Sequence, residues 1–256
     1  MRYFATIRYI GTRFHGFQVQ PGMRTVQSEL SLAMEQTLGT PCRITGCSRT
    51  DAGVHANAFC VTVDADGATV PPEKLPVAAI PYLPDDLSVT SARACREDFH
   101  VRYDVESKEY LYQIYNRRVP DPFLHDRVWH LPRILDESML ARMREAAAHF
   151  IGTHDFTSFM AEGADVTSTV RTVTSFTVER CEDVLSFRVR ADGFLYNMVR
   201  IMVGTLTEVA FGRIAPDAIP SILCARDRSR AGMTAPAAGL YLDRVFYKPC
   251  ALEKIF

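Results

Sequence analysis

An arginine, an aspartate and a histidine stand close together in CSRTDAGVHA, where Arg49 lies two residues before Asp51 and His55 four residues after it. The stretch is too small and polar for a core element. A carboxylate on the compact Asp51-Ala52-Gly53 corner projects from the backbone, and its small neighbours let a large ligand approach. Arg49 can pair with that carboxylate through charge-assisted hydrogen bonds, or it can hold a phosphate. A histidine near an aspartate suggests acid–base work. However, no serine or cysteine is placed to complete a triad with His55, and a lone loop histidine more often serves local hydrogen bonding. On these residues alone, an ordinary Asx turn with a surface ion pair is the commoner meaning.

Three further segments carry usable chemistry. YIGTRFHGFQVQP, Tyr9–Pro21, mixes aromatics, glycines, an arginine and two glutamines, a composition suited to stacking on bases and hydrogen-bonding them, or to a packed loop. FHVRYDVESKEYLYQIYN, Phe99–Asn116, interleaves Arg102 and Lys108 with Tyr103, Tyr110 and Tyr112, so a strand face can present rings beside cations. GFLYNMVRIMVGTL, Gly193–Leu206, puts Arg200 on a largely apolar helix, where its charge calls for an anion or a carboxylate.

The elements that must position these residues follow from periodicity. Arg2 to Ile10 alternates, with Tyr3, Ala5, Ile7 and Tyr9 on one face, as in a half-buried strand. Thr25 suits the N-cap of a helix with Val26, Leu30, Ala33, Met34, Thr37 and Leu38 at helical spacing, and Gly39 suits its end. The Asp51 loop then precedes a strand in which Phe59, Val61 and Val63 alternate with Cys60, Thr62 and Asp64. A second series opens near Val105 with Tyr110, Tyr112 and Ile114 on one face, followed by a helix from about Asp136. Val170 to Glu179 and Val184 to Ala191 read as a hairpin. Tyr196 to Ala210 reads as a helix with Met198, Ile201, Met202, Thr205 and Val209 on one side, closed by Gly212. Pro216 opens a short helix, and Leu240 to Tyr247 supplies a last strand. Both halves mix strands with helices, which favours an α+β fold of two related halves, 1–104 and 105–256.

Composition sets the outer bounds. A chain of 256 residues with 47% hydrophobic and 23% charged residues describes a soluble globular protein of one large or two ordinary domains. MRYFATIRYI lacks the apolar core of a signal peptide and no stretch is long enough to span a bilayer, so a cytoplasmic protein is expected. Seven scattered cysteines without CxxC pairs suggest buried reduced thiols, with neither a disulfide framework nor a zinc site. The formal net charge of −1 gives no global attraction for nucleic acid, so a polyanion would need a local patch of Arg and Lys.

Taken together, the segments resemble the TruA family of tRNA pseudouridine synthases over nearly the whole chain. SRTDAGVHA looks like the family's active-site signature, YIGTRFHGFQVQ like its N-terminal motif, KEYLYQI like the segment whose first tyrosine stacks on the target base, and GTHDFTSF like a central motif. FLYNMVRIMVGTL and TAPAAGLYL resemble the two C-terminal motifs. The chain departs from the family pattern at Ile10, at Cys47 and at Pro81-Tyr82. The resemblance implies that Asp51 is the catalytic residue, that Arg49 is the arginine of the same signature and that Tyr110 stacks on the target base; Arg49 and Arg200 are further expected to bind substrate, though Arg200 can instead orient Asp51 or pair within the core. It further implies action on uridines at positions 38 to 40 of the tRNA anticodon arm, with no metal and no cofactor. The implied fold is two α+β halves with mixed and antiparallel strands joined into one extended sheet, helices on one side and a central basic cleft, working as a homodimer that grips tRNA. Two rivals stand beside it: an RNA-binding module without chemistry, and a hydrolase using Asp51 with His55.

Overall fold

The computed structural model describes residues 1–163 and 166–256. In chain order the elements are β1 (Arg2–Tyr9), α1 (Val26–Leu38), β2 (Cys42–Gly46), β3 (His55–Ala65), α2 (Leu75–Ala78), β4 (Leu87–Ala94), β5 (Val105–Tyr115), β6 (Trp129–His130), α3 (Glu137–Ala148), β7 (Gly152–Asp155), β8 (Val170–Cys181), β9 (Val184–Ala191), α4 (Met198–Ala210), α5 (Ile219–Ala225), β10 (Leu240–Tyr247) and α6 (Pro249–Leu252). The class is α+β, as the mixture of periods suggests.

Two compact units form: Met1–Glu106 with Tyr241–Phe256, and Ser107–Leu240. The carboxy-terminal segment belongs with the first unit and not with the second. Its strand runs parallel to the start of β3, Tyr241 opposite His55 and Leu242 opposite Ala56, and the Tyr247 hydroxyl donates to Val101 O at 2.9 Å.

In the first unit the strand order is β4-β1-β3-β10, with β2 also paired to β3. β1 buries Tyr3, Ala5, Ile7 and Tyr9, the face its alternation marked. β3 is buried on both faces from Phe59 through Val63, where its alternation distinguishes two faces, and its edges are paired, with β1 along one and β2 and β10 sharing the other. α1 begins and ends where its caps place it. Thr25 Oγ1 accepts from Ser28 N at 3.2 Å, Ser28 Oγ accepts from Thr25 N at 3.1 Å, and Gly39 takes φ +67°, a reciprocal cap worth about 1 kcal/mol.

In the second unit β5-β9-β8-β7 form an antiparallel series, with β6 parallel to β5. The β8–β9 hairpin turns at Glu182-Asp183, with Glu182 at φ +52°. α3 starts at the Asp136 cap, whose carboxylate accepts from Met139 N at 2.9 Å. α4 is buried nearly all round, including Val199, Val203 and Leu206 as well as the side marked by periodicity, so it is a core helix and not an amphipathic one. All seven cysteines are reduced; Cys47, Cys60 and Cys95 are buried as expected, but Cys181, Cys224 and Cys250 are exposed.

Candidate active site

The loop carrying Asp51 connects the antiparallel pair β2 and β3. Its corner is a tight turn: Val54 N donates to Asp51 O at 3.2 Å, and Gly53 at the third position has φ +78°, the left-handed conformation that glycine adopts without strain. Asp51 is half-buried and Ala52 exposed, so small residues flank the carboxylate on its open side.

The segment Tyr9 to Phe17 grips this loop before and after Asp51. Tyr9 Oη and Thr50 Oγ1 are 2.8 Å apart, Phe17 N donates to Thr50 O at 3.1 Å, and Gly53 N donates to Phe14 O at 3.3 Å. Two glycines permit the approach. A Cβ on Gly11 would lie 2.0 Å from Val54 O, and one on Gly16, which has φ +84°, would lie 2.5 Å from Thr50 O. YIGTRFHGFQ therefore braces the Asp51 loop, and its glycines are places where backbone meets backbone.

His55 is part of the same brace. It is fully buried, its ring stacks on Tyr241 with centroids 4.6 Å apart, and its Nδ1 accepts from Gly11 N at 2.9 Å. An accepting Nδ1 places the proton of the neutral ring on Nε2. This geometry suits His55 to positioning, the hydrogen-bonding role that is the commoner one for a lone loop histidine.

A second clamp holds the far end of the same segment. Arg24 donates from both terminal nitrogens to the Asp86 carboxylate at 2.9 Å each, and Arg13 Nε donates to it at 3.0 Å. The Arg24 guanidinium also lies 4.2 Å from the Phe14 ring centroid. Burial opposes ionisation of Asp86, but the hydrogen bonds from Arg24 and the attraction of Arg24 and Arg13 outweigh it and hold the carboxyl below its ordinary 3.8. Because the folded-state value is depressed, this stabilisation is complete above the unfolded-state value and is lost as pH falls through the lower folded one. Asp86→Asn is accordingly expected to cost about 2 kcal/mol at neutral pH. The gap to wild type should close below about pH 4 in urea melts taken across pH. A gap independent of pH would show that the charge of Asp86 is not what holds the segment.

Arg49 is exposed. It lines a cavity of about 550 Å³ in the first unit together with Arg43, Arg102 and Tyr103. Arg102 and Tyr103 lie in the turn that precedes β5, which begins at Val105 where its alternation opens.

Tyr110 and Arg200 belong to the second unit. Tyr110 lies on β5 opposite Val189 and is 7% exposed, its ring edge-on to Phe194 at 4.8 Å. Arg200 has two neutral oxygens as partners: Nε donates to Ala235 O and a terminal nitrogen to Asn197 Oδ1, both at 2.7 Å. Its half-buried position lowers the cost of lacking an opposite charge. Ala235 N donates back to Arg200 O at 3.1 Å. Close packing continues this seam: a Cβ on Gly204 would lie 1.8 Å from Met233 O, and the Tyr112 hydroxyl donates to Pro236 O at 2.8 Å. FLYNMVRIMVGTL and TAPAAG are thus stitched to one another, and Arg200 is one of the stitches.

Sequence reasoning missed His55 as a brace and Asp86 as an anchor, both of which depend on partners far along the chain. It also missed Arg43, which no motif marks.

The protein family described as tRNA pseudouridine synthase matches residues 5–104 and 146–248 of this chain. Asp51, Arg49 and Arg200 fall within the matched spans, and Tyr110 falls between them. The tRNA pseudouridine synthase A of Bacillus subtilis (strain 168) is 44% identical over 249 residues, covering 96% of this chain and 99% of that protein. The protein of the same name from Moorella thermoacetica is 45% identical over 244 residues, covering 94% and 98%. That of Thermoanaerobacter sp. (strain X514) is 43% identical over 241 residues, covering 94% and 97%.

Proposed function

We propose, for a chain that belongs to the tRNA pseudouridine synthase family and is an isomerase of tRNA uridines, that it acts on the anticodon stem-loop, at positions 38, 39 or 40, with Asp51 as the essential carboxylate. The observation that carries this is the Asp51 corner itself: a carboxylate on a turn fixed by backbone hydrogen bonds on both sides, with small residues leaving room for a large substrate. Rearranging uridine breaks the bond from the ribose carbon to N1 of uracil, turns the freed base, and joins its C5 to the sugar. A proton leaves C5 and one is gained at N1, so no electron is lost or gained. Such chemistry asks for a held base and one well-placed carboxylate acting as nucleophile or base.

The remaining residues take roles in holding the RNA. The target uridine leaves its stack, at a cost of roughly a few kcal/mol, and stacks on Tyr110. Arg49 binds a phosphate, in keeping with its exposure and its lack of a carboxylate partner among the described residues. Arg200, assigned from sequence to substrate binding, fixes the corner at Asn197, and its charge adds to the attraction for RNA. A homodimer in the cytoplasm completes this reading. Sedimentation of the purified protein is expected to give twice the chain mass.

Tyr110→Ala is expected to lower kcat/KM about five- to hundred-fold, the range set by loss of one base–aromatic stack. Because the ring is buried, Ala also destabilises the fold, and Tyr110→Phe separates the two effects by keeping the ring. Wild-type kinetics in a folded Tyr110→Ala protein would remove Tyr110 from the scheme. tRNA affinity should fall steeply as salt rises, since phosphates are met by local cations in a chain of formal net charge −1; a flat salt titration would contradict this. Transcripts with a single uridine at position 38, 39 or 40 test the site assignment, and conversion confined to uridines outside the anticodon arm would overturn it.

A further inference from the structure

The cavity beside the Asp51 loop has a lining that includes Arg43, Arg49, Arg102, Tyr103 and His100 and contains no carboxylate. Other arginines of the same unit are neutralised: Arg2 by Asp64, Arg13 and Arg24 by Asp86, Arg96 by Asp98. Among the described residues Arg43, Arg49 and Arg102 have no such partner. Three unneutralised guanidiniums around one hollow make a local positive field in a chain of formal net charge −1, and a volume near 550 Å³ is that of a small-ligand site.

One wall of the hollow is a prepared aromatic surface. Tyr103 is 70% exposed, with its ring against His100 at 4.1 Å between centroids and 32° between planes. The turn beneath it is fixed: the amides of Arg102 and Tyr103 each donate to His100 Nδ1 at 3.2 Å, and His100 N donates to the Asp104 carboxylate at 2.9 Å. A ring held outside the core beside arginines is the arrangement that stacks a base and meets its phosphate.

We propose that this hollow is a second RNA subsite, taking one unpaired nucleotide beside the target uridine, with its base on Tyr103 and its phosphate on Arg43 and Arg102. The inference rests on the reading that the substrate is tRNA. Adjacency to the target follows from the shared wall, since Ser48 and Arg49 line the hollow and Asp51 stands two residues further on.

The test compares Tyr103→Ala, Tyr103→Phe and the Arg43→Ala/Arg102→Ala double variant with wild type. All three side chains are exposed, so circular dichroism melts should match wild type. Binding of a fluorescent tRNA transcript is read by anisotropy across a salt series, and pseudouridine formation is read at saturating RNA. Tyr103→Ala should weaken binding about five- to hundred-fold while Tyr103→Phe binds as wild type. The double variant should lower the slope of log affinity on log salt by about one, for one phosphate released. The rate at saturation should stay unchanged in each. Wild-type affinity and salt slope in Tyr103→Ala and the double variant would overturn the subsite, as would a loss confined to the saturated rate. Absence of pseudouridine with the wild-type protein would instead fail the proposed function, leaving the binding comparison to decide the subsite by itself.

Discussion

Asp51→Asn should bind tRNA as wild type does and turn it over at least about 10⁴-fold more slowly, the scale of loss when an acting nucleophile or base is removed. The substitution is nearly isosteric and leaves the backbone bonds that shape the corner, from Val54 N to Asp51 O and from Gly53 N to Phe14 O, untouched. A loss of turnover at unchanged affinity and melting temperature therefore reports chemistry and not folding. The same outcome is expected whether the carboxylate attacks the sugar, attacks the base ring or removes a proton, because an amide replaces it in none of these.

Gly11→Ala is the second large effect, and it acts through position alone. The new methyl would stand 2.0 Å from Val54 O, a backbone atom that cannot rotate away, and the shift it forces would stretch the bond from Gly11 N to His55 Nδ1. A cost of about 3 kcal/mol or more is expected, at the upper end of overpacking penalties, with most of the activity lost even at temperatures where the protein stays folded. Gly67→Ala is the control. Gly67 has φ +73° but nothing within 4 Å of its would-be Cβ, so only backbone strain of about 1 kcal/mol is expected, with full activity. Equal effects of the two substitutions in chemical denaturation and in tRNA assays would show that contact with the Asp51 loop does not matter.

Local signals were legible in the sequence, and long-range ones were not. Thr25 and Gly39 mark the ends of α1 because cap chemistry is encoded within a few residues. The Asp51 turn was readable for the same reason: Gly53 supplies a positive φ in its own tetrad. By contrast, β3 and α4 are buried on more sides than their periodicity indicates, since burial depends on how many neighbours arrive from elsewhere in the chain. β2 and β4 escaped notice: β2 is a five-residue strand, and Leu87–Ala94 alternates weakly around serines and alanines. The attachment of β10 to the first unit is invisible in sequence because its partner strand lies far upstream.

The candidate site divides in the same way. Asp51 and Arg49 stand out by type and spacing, Arg200 by its charge on a largely apolar helix, and the family resemblance adds a role for Tyr110. Nothing local indicates that Asp86 anchors Arg13 and Arg24, that His55 is a brace, or that Arg43 joins Arg102 and Tyr103 around one hollow. Arg200 shows the limit of charge reasoning. Its half-buried guanidinium donates to a carbonyl and an amide oxygen, partners that charge alone does not point to.

The most direct measurement is pseudouridine mapping by carbodiimide-adduct primer extension on unmodified tRNA transcripts, incubated with the wild-type protein or with Asp51→Asn. New stops at positions 38 to 40 with the wild-type protein, and none with Asp51→Asn, are the predicted result. Stops of equal strength with Asp51→Asn would contradict the account.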